Sequence, residues 1–307
     1  MPVTRYLTAV KQIIVGAVRK FARDDPVRLA GTTAYFVIFA VAPILIIITG
    51  VLGFVIDEGA VSDRLFEEVH ELVGPEGAAV VETLVRNFQR TERGRTGTII
   101  GIGVFLFAST TFFGVLQRNL NFIWRVRSKP KSSILKMLRD RLLSFGLILS
   151  LGFILLVSLL IDAALAFLRD FLTAFVADYA LFLIEPINFV VSFGILTLIF
   201  ALIFKFLPDV KIRWSVTWVG ALITAALFSI GKYLIGFALA RTDYQVMYGA
   251  AGSVVMLIVW VFYSSMILYF GAEITEQYAE YFHYDIRPQD HAVRIRISDV
   301  EESDDPA

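Results

Sequence analysis

Lys232 is the only charged residue between Trp214 and Ala240. A lysine at the centre of a membrane helix costs ~2.5–3.5 kcal/mol on insertion scales, so one found there points to electrostatic chemistry, an ammonium that draws in an anionic group. Depth bears on this reading. Eighteen residues past Trp214, at ~1.5 Å each, put Lys232 ~27 Å along a helix, where its stem can also snorkel to the interface. Facing inward, its partners would be Asp162 or Asp243, predicted near the same leaflet, or a lipid phosphate or other acidic substrate group. Thr32, Thr33 and Tyr35, with the cluster Ser109, Thr110 and Thr111, are candidates to line a polar path between helices, and Tyr244 and Tyr248 border its end. The alternative is that the hydroxyls bond carbonyls of their own or a neighbouring helix, as membrane helices do routinely.

Covalent and metal chemistry find little support. Metal-assisted hydrolysis needs His and carboxylates gathered around an ion. The chain has three histidines, His70, His283 and His291, and the first is predicted on the opposite side of the membrane from the other two. HExxH, P-loop and GxSxG patterns are absent, so neither a metalloprotease, an ATP-driven pump nor a hydrolase is expected, and no cofactor. No cysteine is present, which excludes disulfides and thiolate metal sites.

The elements that would position these residues are membrane helices. Hydrophobic residues make up 57% of the 307 and charged residues 18%, and the apolar residues are gathered in long runs rather than alternating. Backbone polar groups in lipid must be satisfied internally, so such runs become helices. The spacing predicts an all-α polytopic fold. Residues 1–29 form an amphipathic helix on the cytoplasmic face, either at the bilayer interface or packed on the protein itself. Residues 30–273 hold six spans, at about 30–56, 97–117, 142–161, 183–204, 214–240 and 249–271, with an external helical insert at 57–96. Each span is long enough to cross a core of ~30 Å. Segment 163–185 reads as interfacial or re-entrant, and 274–307 as an acidic cytoplasmic tail whose end is disordered.

Counting Lys and Arg orients the bundle. With the N-terminus inside, the cytoplasmic segments hold 20 basic residues, eight of them between Arg118 and Arg141, against seven on the other side. That excess satisfies the positive-inside rule with both termini cytoplasmic. The formal charge is zero, and the basic loop is accounted for by topology and anionic head groups, so membrane lipids rather than nucleic acid are the expected partners.

Several of these residues together resemble a family. Leu207-Pro208-Asp209 with Lys211 and Trp214, Lys232 followed by Tyr233, then Tyr248-Gly249, Trp260 and Gly271-Ala272-Glu273, occur in the order seen in the YihY/BrkB proteins. Leu120-Asn121-Phe122-Ile123-Trp124, and Thr32, Tyr35 and Pro43 of the first span, fit the same pattern. The resemblance covers roughly residues 25–280. It implies a six-span protein of the bacterial inner membrane, a family long mislabelled as ribonuclease BN and suggested to act in transport or lipid handling. The histidine content argues against ribonuclease activity. Two functions are therefore expected in turn: a transporter or flippase-like handler of a lipid or other amphiphilic substrate, including anionic ones, or a non-transporting scaffold or regulator. The scaffold would bind protein partners through the insert 57–96 and the cytoplasmic face.

Overall fold

The computed structural model describes residues 2–37, 111–129, 181–240 and 252–296, together with Phe107, Gly146 and Ser150. The external insert 57–96, most of the first three predicted spans, segment 163–180, the turn 241–251 and the acidic end of the tail lie outside the described residues.

Helix α1 is Pro2–Arg23, with Lys20 and Arg23 in its last turn, where they complement the helix dipole. It stops at Asp24 and Asp25. Asp25 takes the left-handed region at φ 53°, which Asp tolerates better than most residues, and Pro26 opens α2 (26–37). The Asp25 carboxylate accepts from the Arg28 backbone N–H at 3.3 Å, so an Asp cap followed by proline starts the second helix.

Helix α3 (111–123) runs past the predicted end of its span because Leu116, Leu120 and Ile123 keep an apolar face buried. Strand β1 (Val126–Ser128) follows. Then come α4 (Leu181–Phe206), β2 (Val210–Lys211), α5 (Trp214–Ala240) and α6 (Gly252–Tyr281). Strands β3 (Arg287–Pro288) and β4 (Ala292–Arg294) follow α6. Helix α6 extends ten residues beyond the predicted span end at Gly271, and its tenth-last to last residues leave the apolar run with Glu273, Glu276 and Glu280. It closes on His283 at φ 54°. The His283 N–H reaches Glu280 O at 3.1 Å and the Tyr284 N–H reaches Ala279 O at 2.8 Å, a Schellman ending with His in place of Gly.

The protein is mostly helical, and among the described residues three helices are long and apolar enough to cross a membrane, over Phe189–Phe206, Trp214–Ile235 and Val255–Tyr281. Helix α5 packs against both α4 and α6, and α1 against the far end of α6. The α5–α6 contact is close and antiparallel. Thr275 sits over Gly220 and Thr224 over Gly271, so that a Cβ on either glycine would fall about 2 Å from a threonine Oγ1. Small residues let membrane helices approach in this way. Away from that seam α5 presents Trp218, Leu222, Tyr233, Leu234 and Phe237 outward, an apolar surface suited to lipid.

Two short antiparallel ribbons sit at one end of the helices. β1 pairs with β4 (Val126 opposite Arg294) and β2 with β3 (Val210 opposite Pro288). They gather the turn after α3, the α4–α5 connection and the segment after α6. The core reaches into this end through Trp124, edge-on to Phe204 at 6.1 Å, with Leu120, Leu207 and Val210.

Candidate functional site

Polar groups are buried at three places around this end, and each joins stretches far apart in sequence. The first centres on Asp209, which is 3% exposed. Helix α3 turns Gln117 and Asn121 toward it, one helical turn apart. Gln117 Nε2 donates to Oδ1 at 3.3 Å, Asn121 Nδ2 to Oδ2 at 2.9 Å, and Ser128 of β1 also donates to Oδ2. His291 Nε2 lies 2.8 Å from Oδ1. The Asp209 backbone N–H in turn donates to Asn121 Oδ1 at 2.8 Å, and its carbonyl accepts from the Gln289 N–H. Burial alone would push this carboxyl up. Hydrogen bonds from Ser128, His291 and Asn121 outweigh it and hold the group below the usual carboxylate range. With every acceptor position engaged, Asp209 is a clamp between α3, the α4–α5 connection and the C-terminal segment.

The second place lies between α2, α3 and α6. The Thr33 hydroxyl donates to Leu29 O at 3.0 Å, which leaves its oxygen to accept from Tyr269 at 2.5 Å. Asn119 Nδ2 is 2.9 Å from the Tyr269 oxygen, 3.1 Å from Thr33 Oγ1 and 3.1 Å from Leu29 O. Thr32 donates to Leu29 O at 2.9 Å. A knot of this kind satisfies polar groups that apolar surroundings would otherwise penalise.

The third is a charge cluster where α1 meets α6. Lys20 pairs with Glu276 and, at 3.3 Å, with Glu273, and donates to Ile123 O at 2.9 Å. Arg125 pairs with Asp24 at 2.5 Å. Burial pulls the Lys20 ammonium below its ordinary range, against the attraction of Glu273. A cavity of about 800 Å³ opens beside the cluster, with Lys20, Asp24, Arg125 and Glu276 in its wall.

The predicted site residues are distributed among these places and the helix surfaces. Asp209 and Asn121 meet at the clamp, with Leu207 and Trp124 buried next to it; Pro208 accepts from the Gln289 side chain at 3.3 Å. Thr32 and Thr33 belong to the knot. Tyr35 is 59% exposed, edge-on to Phe36. Thr111 donates to Phe107 O at 2.7 Å within its own helix. Trp214 is half-exposed against Phe206 and Lys205, and Trp260 packs edge-on to Phe228. Gly271 lies in the α5–α6 seam and Glu273 in the charge cluster. Lys232 is half-buried, and no described residue forms an ion pair with it. Pro43, Ser109, Thr110, Asp162, Asp243, Tyr244, Tyr248 and Gly249 lie outside the described residues. Among the described residues no group of three His, Asp or Glu is placed to hold a metal ion.

Gln117, Asn119, Tyr269, Lys20 and Asp24 are buried participants that the sequence reading passed over. A signal existed for two of them. Gln117, Asn119 and Asn121 are the polar residues of a helical stretch whose other inward positions are apolar, and amides placed there are expected to find partners.

No solved structure matches the chain. Relatives are named UPF0761 membrane protein: one from Aliivibrio fischeri (strain MJ11) is 30% identical over 290 residues, covering 90% of this chain and 84% of the relative. One from Aeromonas salmonicida (strain A449) is 26% identical, covering 85% and 87%. A longer one from Azotobacter vinelandii is 28% identical, and the match spans 60% of its length. The model of the family described as Virulence factor BrkB matches residues 17–296, which take in the clamp, the knot and the charge cluster alike, and the chain is a membrane protein of that family.

Proposed function

We propose that the chain moves or rearranges an amphiphilic substrate, a lipid with an anionic group, within the bacterial inner membrane, and that Lys232 attracts that group. The observation that carries this is the face on which Lys232 sits. Eleven residues after Ala221 and seven after Ala225, at ~100° per residue, it lies within ~20° of both. Both alanines are fully buried. By the same spacing Lys232 lies ~40° from exposed Trp218, ~80° from Leu222 and ~140° from Phe237, so it sits at the inward edge of the lipid-facing stripe, beside the buried alanines. A half-buried ammonium without an ion-pair partner among the described residues offers its charge to a ligand.

The polar path would pass the spans that carry Thr32, Thr33 and Tyr35, the cluster Ser109 to Thr111, and the α5–α6 hairpin. The Thr33–Asn119–Tyr269 knot and the Asp209 clamp close it at one end, so passage requires α2, α3 and α6 to part there. The excess of basic residues in the predicted inner loops supports a cytoplasmic position for that end and for both termini.

A lipid-flipping assay in proteoliposomes tests the reading, with wild type, Lys232→Ala and Lys232→Met compared against empty vesicles. Either substitution is expected to lower the rate about tenfold, on the order of 1.4 kcal/mol. Equal rates would remove Lys232 from the mechanism. No wild-type rate above empty vesicles would overturn the activity and favour the scaffold reading.

A further inference from the structure

Helix α1 carries Arg5, Lys11, Arg19, Lys20 and Arg23 and not one acid along its 22 residues. Lys20 is taken up by Glu273 and Glu276, whereas Lys11 and Arg19 are exposed and pair with no carboxylate among the described residues. Its apolar residues divide between two faces. Ile13 and Ala17 are buried with Ile274, and Ile223 and Leu227 of α5 and Phe270 of α6 pack against that cluster. The Phe21 ring meets Phe270 at 5.2 Å. These partners belong to the lengths Trp214–Ile235 and Val255–Tyr281, which are able to cross a membrane. Helix α1 is therefore held against the spans themselves, and its outer face lies at the level of the bilayer. That face is apolar. Val10, Ile14, Val15 and Val18 are each 45–53% exposed, and at ~100° per residue they share one arc of ~140°. Lys11 falls inside the arc, and Arg19 lies ~40° past its Val15 edge.

Four branched aliphatic side chains exposed side by side mark a docking surface, and the charges around them select its occupant. Apolar side chains suit the acyl boundary of a leaflet, and cations without acids suit anionic head groups. The long stems of Lys11 and Arg19 carry their charged ends past the apolar arc to that layer. We propose that α1 is a two-sided interfacial helix. Ile13 and Ala17 hold it to α6, Val10, Ile14, Val15 and Val18 sink into the acyl boundary, and Lys11 and Arg19 bind the phosphates of anionic lipids. Lys20, from the same helix, ties this lipid-bound surface to the end of α6 through Glu273 and Glu276. The surface requires no transport and serves a scaffold equally.

The chain has no cysteine, so single spin labels can be placed on the full-length protein in nanodiscs of phosphatidylcholine, with or without phosphatidylglycerol. Power saturation by oxygen, which partitions into lipid, and by a water-soluble nickel chelate reads the depth of each label. Labels at Ile14→Cys and Val18→Cys are expected to be reached by oxygen and shielded from nickel. A label at Gln12→Cys, ~160° from Ile14 around the helix, is expected to be reached by nickel. Phosphatidylglycerol should deepen the first two labels, and the pair Lys11→Gln and Arg19→Gln should abolish that increment. Nickel access at 14 and 18 equal to that at 12 overturns the proposal, because the stripe is then solvated. Shielding from oxygen and nickel alike also overturns it. Dipolar broadening between labels on separate chains would then identify a second copy as the occupant, and its absence another protein surface. Depth that does not respond to phosphatidylglycerol overturns the anionic preference.

Discussion

Asp209 receives four side-chain donors from three stretches of chain, and neutralising it strands them all. Removing the acceptor leaves Gln117, Asn121, Ser128 and His291 with buried or half-buried donors unsatisfied, at about 1–3 kcal/mol for each fully buried group. Asp209→Ala should therefore lower stability by about 3 kcal/mol or more, read as thermal unfolding in detergent. Because the folded carboxyl lies below its ordinary value, its contribution is present above about pH 4 and is lost as pH falls through the folded pKa. The acid limb of the wild-type stability curve should flatten in Asp209→Ala, and an identical limb would show that the clamp does not depend on this charge. The sequence singled out Asp209 and Asn121, yet nothing local could tell that residues 88 apart would meet. Lys20 illustrates the same limit. On the helical wheel it is one of several surface cations, and only the docking of α1 on α6 buries it beside Glu273.

Helices are where sequence and structure agree most closely, since a long apolar run has one way to satisfy its backbone in lipid. The predicted spans at 183–204 and 214–240 appear as Leu181–Phe206 and Trp214–Ala240. What hydropathy could not supply is which faces meet. The α5–α6 seam was written in Gly220-x-x-x-Thr224 and Gly271-x-x-x-Thr275, a reciprocal pair of small-residue repeats, but Gly97 and Gly101 carried a similar pattern and one repeat does not identify its partner. The N-terminal helix divides its apolar residues in a way its periodicity left open. Ala9, Ile13 and Ala17 turn inward, Ile13 and Ala17 packing with Ile274, while Val10, Ile14 and Val18 stay exposed. At the seam the steric margin is small enough to test. A methyl added by Gly220→Ala meets Thr275 Oγ1 at 1.9 Å and its Cβ at 2.8 Å; overpacking of that size costs about 1–3 kcal/mol. Thr275→Gly removes all three clashing atoms, Oγ1, Cβ and Cγ2, so the double variant should recover much of the loss in an unfolding double-mutant cycle. Additive losses would mean that the two positions do not touch in the folded protein.

At the scale of the molecule, the end of α1, the turn after α3, the α4–α5 connection and the segment after α6 are bound into one polar platform. Its parts are the two ribbons, the clamp and the charge cluster. Segments joined by hydrogen bonds share one side of a membrane, so this assembly and the basic-residue count reach topology by independent routes. The count predicts which side, and the platform says which described segments travel together. The chain's lack of cysteine makes both testable with single substitutions at exposed positions. Lys129→Cys, Lys211→Cys and Arg296→Cys should all resist a membrane-impermeant maleimide in spheroplasts and react in inverted vesicles. Gly77→Cys in the insert 57–96 should do the reverse. If the first three label together from outside, the platform stands and the charge-based orientation fails. If they label from different sides, the ribbons pairing β1 with β4 and β2 with β3 cannot form, and the closed end that the proposed path must open does not exist.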